Sequence, residues 1–336
     1  MDLKKIESLL DNEPSYRLKQ INKAIFSEFV DNWNQVGNLP KKLAEELSRN
    51  CPIDKIFKEE EIFKSEDGQT SKALFTLSDG LKIESVLMKH KDKRRTVCVS
   101  SQVGCSLACD FCATGKEGFK RNLDSGEITG QVLFFSRILK KTEERVTNVV
   151  FMGMGEPFFN YDNILKAVST FNDKEGFNIG IRRISISSSG ITEGIERLAQ
   201  EPLQINLAIS LHAPNDGLRT KLMPINKNYP IEKILESIDK YLKKTKRKVM
   251  FEYLMIDKVN DRPDQAEELA KIMKNPLFFV NLISFNPIGH CRFKPSPGYR
   301  IKEFKTILES HGVNVTQRYR FGREIQAACG QLASNN

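Results

Sequence analysis

The chain has no apolar run approaching the roughly 18 residues a membrane-spanning helix needs. Its start, Met1-Asp2-Leu3-Lys4-Lys5-Ile6-Glu7, is charged and lacks the apolar centre of a secretory signal. These absences set the expectation of a cytoplasmic protein with no membrane partner. There is no internal repeat of solenoid length and no low-complexity segment, which argues against stacked-repeat and disordered architectures. Cysteine is sparse: seven residues, at 51, 98, 105, 109, 112, 291 and 329. An odd, uneven set in a long chain without an export signal favours metal or catalytic chemistry over a disulfide framework.

What is present is ordinary for a soluble globular protein: 40% hydrophobic residues, 28% charged, one Trp. With 336 residues the chain can hold a barrel-sized α/β domain of about 200–250 residues and a smaller appendage. Fifty-two Lys and Arg against 43 Asp and Glu leave +9, an excess that suits a polyanionic partner through counterion release. The excess concentrates in Lys89–Arg95, Lys116–Arg121 and Lys240–Lys248, runs that are equally compatible with solvated surface.

The first 50 residues read as helices. Leu3, Ile6, Leu9 and Leu10 share one face, and Leu18, Ile21, Ala24, Ile25 and Phe29 continue at helical spacing after Pro14. Asn38-Leu39-Pro40 breaks the run before a helix at 41–48. Segments 72–77 and 81–87, parted by Asp79-Gly80, predict a hairpin.

Beyond residue 95 strand-sized apolar runs alternate with amphipathic stretches. Strands are predicted at 96–100, 146–151, 182–187, 205–211, 249–254 and 278–285; helices at 125–140, 162–171, 192–200, 231–245, 263–274 and 302–311. The expected fold is α/β: a partial TIM-like (β/α)6 barrel or an open doubly wound sheet, with function at the C-terminal strand ends. Residues 1–88 form an N-terminal accessory domain, helical and then a small β hairpin, and residues 89–336 the core. The last six residues read as a short frayed tail.

Cys105-Ser-Leu-Ala-Cys109-Asp-Phe-Cys112 offers three sulfur ligands from one loop following the first core strand. Three ligands leave a metal position open for an exogenous molecule, whereas a structural zinc or an electron-transfer cluster normally takes four. Zinc with Cys98 or His90 as fourth ligand is the alternative that spacing alone leaves open. The CxxxCxxC spacing, with aromatic Phe111 before the last cysteine, resembles the signature of radical S-adenosylmethionine enzymes. The resemblance implies a 4Fe–4S cluster whose open iron is chelated by S-adenosylmethionine and whose electron yields a 5′-deoxyadenosyl radical.

Polar groups stand at successive strand ends. Met152-Gly153-Met154-Gly155-Glu156-Pro157 resembles the superfamily's Gly-Glu motif: glycine backbone can approach a ligand closely and Glu156 can accept from an ammonium. Ser187, Ser210-Leu211-His212 and Asn286 follow on later strands. We expect Gly155, Glu156, Ser187, Ser210, Leu211, His212 and Asn286 to contact S-adenosylmethionine. Each taken singly is equally at home as a helix cap or turn residue.

Seven stretches spanning the chain carry a closer resemblance: Glu13-Pro-Ser-Tyr-Arg17, Cys98-Val-Ser-Ser-Gln-Val-Gly-Cys105, Cys112-Ala-Thr-Gly115, Met152-Gly-Met-Gly-Glu156, Ser210-Leu-His-Ala-Pro214, Leu222-Met-Pro-Ile-Asn226 and Ala328-Cys-Gly-Gln-Leu332. They resemble the RlmN/Cfr family of radical S-adenosylmethionine adenosine methyltransferases. The resemblance implies that Cys329 carries a methyl as an S-methylcysteine intermediate and that two S-adenosylmethionine molecules are consumed. It implies that Cys98 resolves the protein–RNA adduct through a transient disulfide with Cys329. Glu84 matches the family's proton acceptor and competes with Cys98 for the adenine proton. The implied partners are 23S rRNA, certain tRNAs, and an electron donor such as flavodoxin or ferredoxin.

Within the family, Glu156-Pro157, the stretch 212–216 and the stretch 118–123 are closer to RlmN, which methylates carbon 2 of adenosine. Phe321-Gly322 and the stretch 12–17 are closer to Cfr, which methylates carbon 8. Carbon 2 of an adenosine in the peptidyl-transferase centre of 23S rRNA, and the adenosine 3′ of the anticodon in some tRNAs, are the expected targets; carbon 8 is the alternative. From other classes, a radical enzyme acting on a small metabolite or protein and a zinc-stabilised RNA-binding protein without catalysis stand against this reading. Arg17, Lys19, Lys23, Lys41 and Lys42 in the helical head are expected to grip RNA phosphates while the adenine is unstacked.

Overall fold

A computed structural model describes residues 3–54, 56–289, 291–318, 322 and 324–333. Phe321, part of one motif quoted above, and residues 334–336 of the expected tail lie outside the described residues.

Helices α1 (Leu3–Leu9), α2 (Tyr16–Phe26) and α3 (Lys41–Asn50) open the chain. Ile21, Ala24 and Ile25 of α2 and Leu43 and Leu47 of α3 are buried, as their spacing requires. The single tryptophan, Trp33, lies buried between α2 and α3 and donates its indole N–H to the Cys51 carbonyl at 2.8 Å. A buried indole needs such an acceptor.

Strands β1 (Glu59–Lys64), β2 (Thr70–Thr76), β3 (Lys82–Lys89) and β4 (Arg95–Cys98) follow as an antiparallel run. The predicted hairpin is β2–β3, extended by β1 on its outer edge. Acidic Glu59-Glu60-Glu61 at the start of β1, exposed throughout, hid that strand from pattern reading. β3 pairs with β4, Val86 opposite Cys98, so the hairpin and the core share one sheet.

After β5 (Gln102–Gly104), α4 (Ala113–Glu117) and β6 (Phe119–Asn122), which form a small separate ribbon and a short helix, the βα alternation begins. Its elements are α5 (Ser125–Lys140), β7 (Asn148–Phe151), α6 (Tyr161–Asn172), β8 (Ile184–Ser188), α7 (Thr192–Gln200), β9 (Asn206–Ser210), α8 (Asp216–Leu222), α9 (Ile231–Thr245), β10 (Val249–Met255), α10 (Pro263–Ile272), β11 (Phe278–Ser284), α11 (Gly298–Ser310) and β12 (Asn314–Gln317). All six predicted core strands and all six predicted helices are present.

The strands form one ten-stranded sheet in the order β1-β2-β3-β4-β7-β8-β9-β10-β11-β12, parallel from β4 onward. β12 adds a seventh parallel strand to the predicted six. Its Asn-Val-Thr-Gln sequence has no apolar run because its residues are exposed or half-buried. This is an α/β fold with helices laid against the sheet. A capping box between Asp124 and Glu127 starts α5. The same helix ties the head to the core. Phe134 meets Phe75 edge-on at 5.0 Å, Phe75 stacks on Phe57 at 4.1 Å, and the Arg137 guanidinium bonds the carbonyls of Ile53 and Val30. No helix among the described residues is long and apolar enough to cross a membrane.

Candidate active site

The C-terminal ends of the parallel strands surround a cavity of about 970 Å³, open mouth included. Cys105, Cys109, Cys112, Gly155, Glu156, Ser187, Ser210, His212 and Cys329 all line it. A second cavity of about 540 Å³ is lined by Cys98 and Asn286 and also by Cys329. Cys329 thus borders both. Two predicted residues lie elsewhere: Leu211 packs into the core, and Glu84 is buried on β3 behind the cavities.

The cysteine loop is wound tightly. Ala108 takes a left-handed φ of 51°, and a Cβ on Gly115 would stand 3.0 Å from the Cys109 nitrogen. Burial pushes the Cys105 thiol up to about 12, with the charges of Cys112 and Glu156 adding to it. Cys109 and Cys112 are raised in the same direction, again by burial first. Among the described residues no three His, Cys, Asp or Glu side chains are already gathered closely enough to hold a metal ion. Three thiols on one cavity wall nevertheless match in kind and number the donor set of an iron–sulfur cluster with one open position, since thiolates are the ligands such clusters take.

Opposite the triad, the loop after β7 turns at Gly155, φ 98°, where a Cβ would stand 2.5 Å from Gln102 Cβ. Only glycine fits. Glu156 is buried, and its Oε2 accepts from the Ser189 N–H at 2.8 Å and its Oε1 from the Phe158 N–H at 3.1 Å. Burial raises its carboxyl above the usual range, and these backbone donors oppose the rise. His212, at φ 59°, accepts the Leu254 N–H on Nδ1 at 3.1 Å, and its ring stands edge-on to Phe111 at 5.0 Å. Burial, with Arg219 nearby, lowers it to about 3, so the ring is neutral and Nε2 carries the proton as a donor.

Sequence reasoning missed three groups. Arg219, fully buried on α8, donates to the carbonyls of Ser189 (2.5 Å), Ser210 (3.1 Å), Leu211 (3.2 Å) and Tyr229 (3.1 Å) and to Asn226 Oδ1 (2.7 Å). It clamps the ends of β8 and β9 into one rim. Glu252 is a lone carboxylate inside the apolar strand β10, and that contrast was the available signal. Its Oε2 accepts from Asn281 Nδ2 at 2.8 Å, in a register row that runs Ser210, Glu252, Asn281, Thr316 across β9 to β12. Arg318 lies just past β12 and lines both cavities.

The segment carrying Cys329 is sewn in on every side. Ala113 N–H donates to the Gly330 carbonyl (2.8 Å), Thr114 Oγ1 to the Leu332 carbonyl (2.6 Å), Asn286 Nδ2 to the Cys329 carbonyl (3.4 Å) and Gln331 Nε2 to the Pro287 carbonyl (2.8 Å). Ala333 N–H donates to Glu84 Oε2 at 2.8 Å. Residues 331–333 of the expected frayed tail are therefore anchored. Cys98 ends β4, buried, with its thiol pushed up to about 12 by burial and by the charge of Cys329.

The Radical SAM superfamily model matches residues 99–272, more than half the chain. A relative from Dictyoglomus thermophilum, named "Probable dual-specificity RNA methyltransferase RlmN", is 45% identical over 98% of this chain and 94% of its own. The chain belongs to the RlmN family of radical S-adenosylmethionine RNA methyltransferases. "Ribosomal RNA large subunit methyltransferase N" of Nitrosopumilus maritimus is 45% identical over 95% of this chain and 93% of its own. A crystal structure of a radical SAM methyltransferase from Sphaerobacter thermophilus superposes with a TM-score of 0.94 at 42% identity, covering 100% of this chain and 98% of that one. Membership implies S-adenosylmethionine and a 4Fe–4S cluster as the family's cofactors.

Proposed function

We propose that this enzyme methylates carbon 2 of adenosine in 23S rRNA, and the adenosine 3′ of the anticodon in some tRNAs, through a methylcysteine on Cys329. The observation that carries the reading is the position of Cys329: it borders the cavity of the cysteine triad on one side and the cavity of Cys98 on the other. The "dual-specificity" name of the relatives supports two RNA substrates.

Cys105, Cys109 and Cys112 would hold the cluster, and Gly155, Glu156, Ser187, Ser210, His212 and Asn286 would hold S-adenosylmethionine, with Leu211 setting the strand end from within the core. When bound, these groups would supply hydrogen-abstracting radical chemistry. Glu156 offers carboxylate oxygens to the methionyl ammonium, and neutral His212 offers Nε2–H to an acceptor. Cys329 would take the methyl as a nucleophile, and the carbon carried on its sulfur would form the link to adenine. Cys98 faces it across the second cavity and would resolve that link through a Cys98–Cys329 disulfide.

We assign the adenine proton to Cys98, acting in its thiolate form, rather than Glu84. Glu84 is fully buried, lies 2.7 Å from Lys72 Nζ and holds Ala333, and it lines neither cavity. Exposed Lys19, Lys41 and Lys42 on α2 and α3, and Lys23 beside Glu28 at 3.9 Å, offer phosphate contacts, whereas Arg17 is engaged with Gln20, the Asn38 carbonyl and Glu13. An external reductant of the flavodoxin or ferredoxin class would supply the electron.

Mass spectrometry of nucleosides from RNA treated with the reduced enzyme tests the reading, with 2-methyladenosine expected. 8-Methyladenosine would transfer the assignment to the alternative carbon. Cys329→Ala should abolish methylation while the protein keeps its brown iron–sulfur absorbance; full activity in that variant would overturn the methylcysteine route. Colourless, zinc-loaded protein after anaerobic purification would overturn radical chemistry altogether.

A further inference from the structure

Arg318 is the one Lys or Arg among the described lining residues of the two cavities. Its backbone N–H extends the β12 ladder by donating to the Leu282 carbonyl at 2.9 Å, which fixes the residue at the strand end. Nη1 rests 3.5 Å from Met152 Sδ, a contact that orients the guanidinium toward the wall both cavities share. Among the described residues no carboxylate lies within 4.0 Å of it; Glu252, on the neighbouring wall, is the nearest in electrostatic effect. A half-buried guanidinium with no carboxylate partner among the described residues is well placed to serve another anion. Cys329 lines both cavities with it, and Cys98 lines the second.

We propose that Arg318 is a positioning residue for methyl transfer, holding the anionic sulfur of Cys329 at the boundary of the two cavities, with Glu252 limiting how far the guanidinium leans away. The inference rests on the reading of Cys329 as methyl acceptor. In that step the thiol proton leaves to solvent, and a sulfur lone pair of Cys329 forms the new S–C bond while the bond from the methyl to the donor sulfonium breaks. Thiolate and sulfonium charges cancel and two neutral thioethers result. The reaction thus begins from a thiolate, and a fixed guanidinium supplies a counter-charge for it without taking part in bonding. Arg318 is held above the ordinary arginine range first by Cys329, against the effect of burial, and further by Glu252 and Cys98.

The test reads the sulfur directly and needs neither RNA nor S-adenosylmethionine turnover. Cluster-loaded full-length protein is treated with iodoacetamide at fixed pH, and the alkylation rate of Cys329 is followed by peptide mass spectrometry, with half-buried Cys291 as internal reference. Arg318→Met should slow Cys329 on the order of tenfold, the scale of removing one opposite charge from a part-buried thiolate. Arg318→Lys should restore most of the rate and Cys291 should be unchanged in both. Wild-type reactivity in Arg318→Met would overturn the proposal, as would an Arg318→Lys protein as slow as Arg318→Met, or a parallel change at Cys291. If Cys329 of the wild type takes no methyl from S-adenosylmethionine, the methylcysteine reading fails while the alkylation comparison still decides the role of Arg318.

Discussion

Glu84 on β3 accepts a hydrogen bond from the backbone N–H of Ala333 at 2.8 Å, across 249 positions of sequence. Ala333 lies four residues past Cys329, so a carboxylate in the antiparallel edge of the sheet anchors the segment that carries the reactive cysteine. The other Glu84 oxygen sits 2.7 Å from Lys72 Nζ, close but off the hydrogen-bonding direction, and both side chains are buried. Burial raises the Glu84 carboxyl, and Lys72 then opposes the rise.

This pair predicts a double-mutant cycle. Glu84→Ala or Lys72→Met alone strands one charge in the interior and should cost about 3–5 kcal/mol in urea denaturation. The double variant should recover much of that loss, because an apolar replacement removes the desolvation cost of both ions. Any variant lacking Glu84 should also expose the 324–333 segment to proteolysis, whereas Lys72→Met should leave it protected. Additive losses in the double variant would show that the ion pair carries no coupling.

Arg219 predicts a different kind of loss. Its guanidinium is lowered to about 10 by burial, and it meets carbonyl oxygens rather than a carboxylate. Arg219→Met leaves the carbonyls of Ser189, Ser210 and Leu211 without their donor, and should cost on the order of 3 kcal/mol by urea denaturation. The rim formed by β8 and β9 should loosen with it, so S-adenosylmethionine affinity by equilibrium dialysis should fall at least tenfold. Arg219→Lys should fall between, because one ammonium cannot reach the divergent acceptors a planar fork serves.

The core was legible because parallel strands buried on both faces are apolar runs, as at 249–254 and 278–285, and because helices such as α7 and α9 carry clean amphipathic spacing. The strands that escaped notice lack that signature. β1 is acidic and exposed, and β12 is polar. The triad and the Gly-Glu turn were visible as local spacing. Arg219 was not, since its role comes from carbonyls supplied by β8, β9 and the following loop, which only the tertiary fold assembles. Arg318 was hidden for a related reason: a lone arginine after a polar strand carries no local pattern. Glu84 was found by resemblance, and its partners Lys72 and Ala333 appear only when β2 pairs with β3 and the C-terminal segment folds back.

His212 gives a prediction in pH. Its folded-state value of about 3 lies below the ordinary 6.5 because the charged ring would be buried beside Arg219. Between those values the unfolded chain binds a proton that the folded chain does not, so stability rises with pH across the window and is lost as pH falls through it. Going from pH 7 to pH 5.5 should remove about 1 kcal/mol through this one residue. His212→Asn tests it, because asparagine tolerates the left-handed backbone at this position and does not titrate. Urea denaturation of the wild type and the variant at the two pH values should give curves that converge by about that amount at the lower pH. An unchanged gap would mean that the imidazole titrates in the folded protein as it does in the unfolded chain, and would overturn its being held neutral by burial.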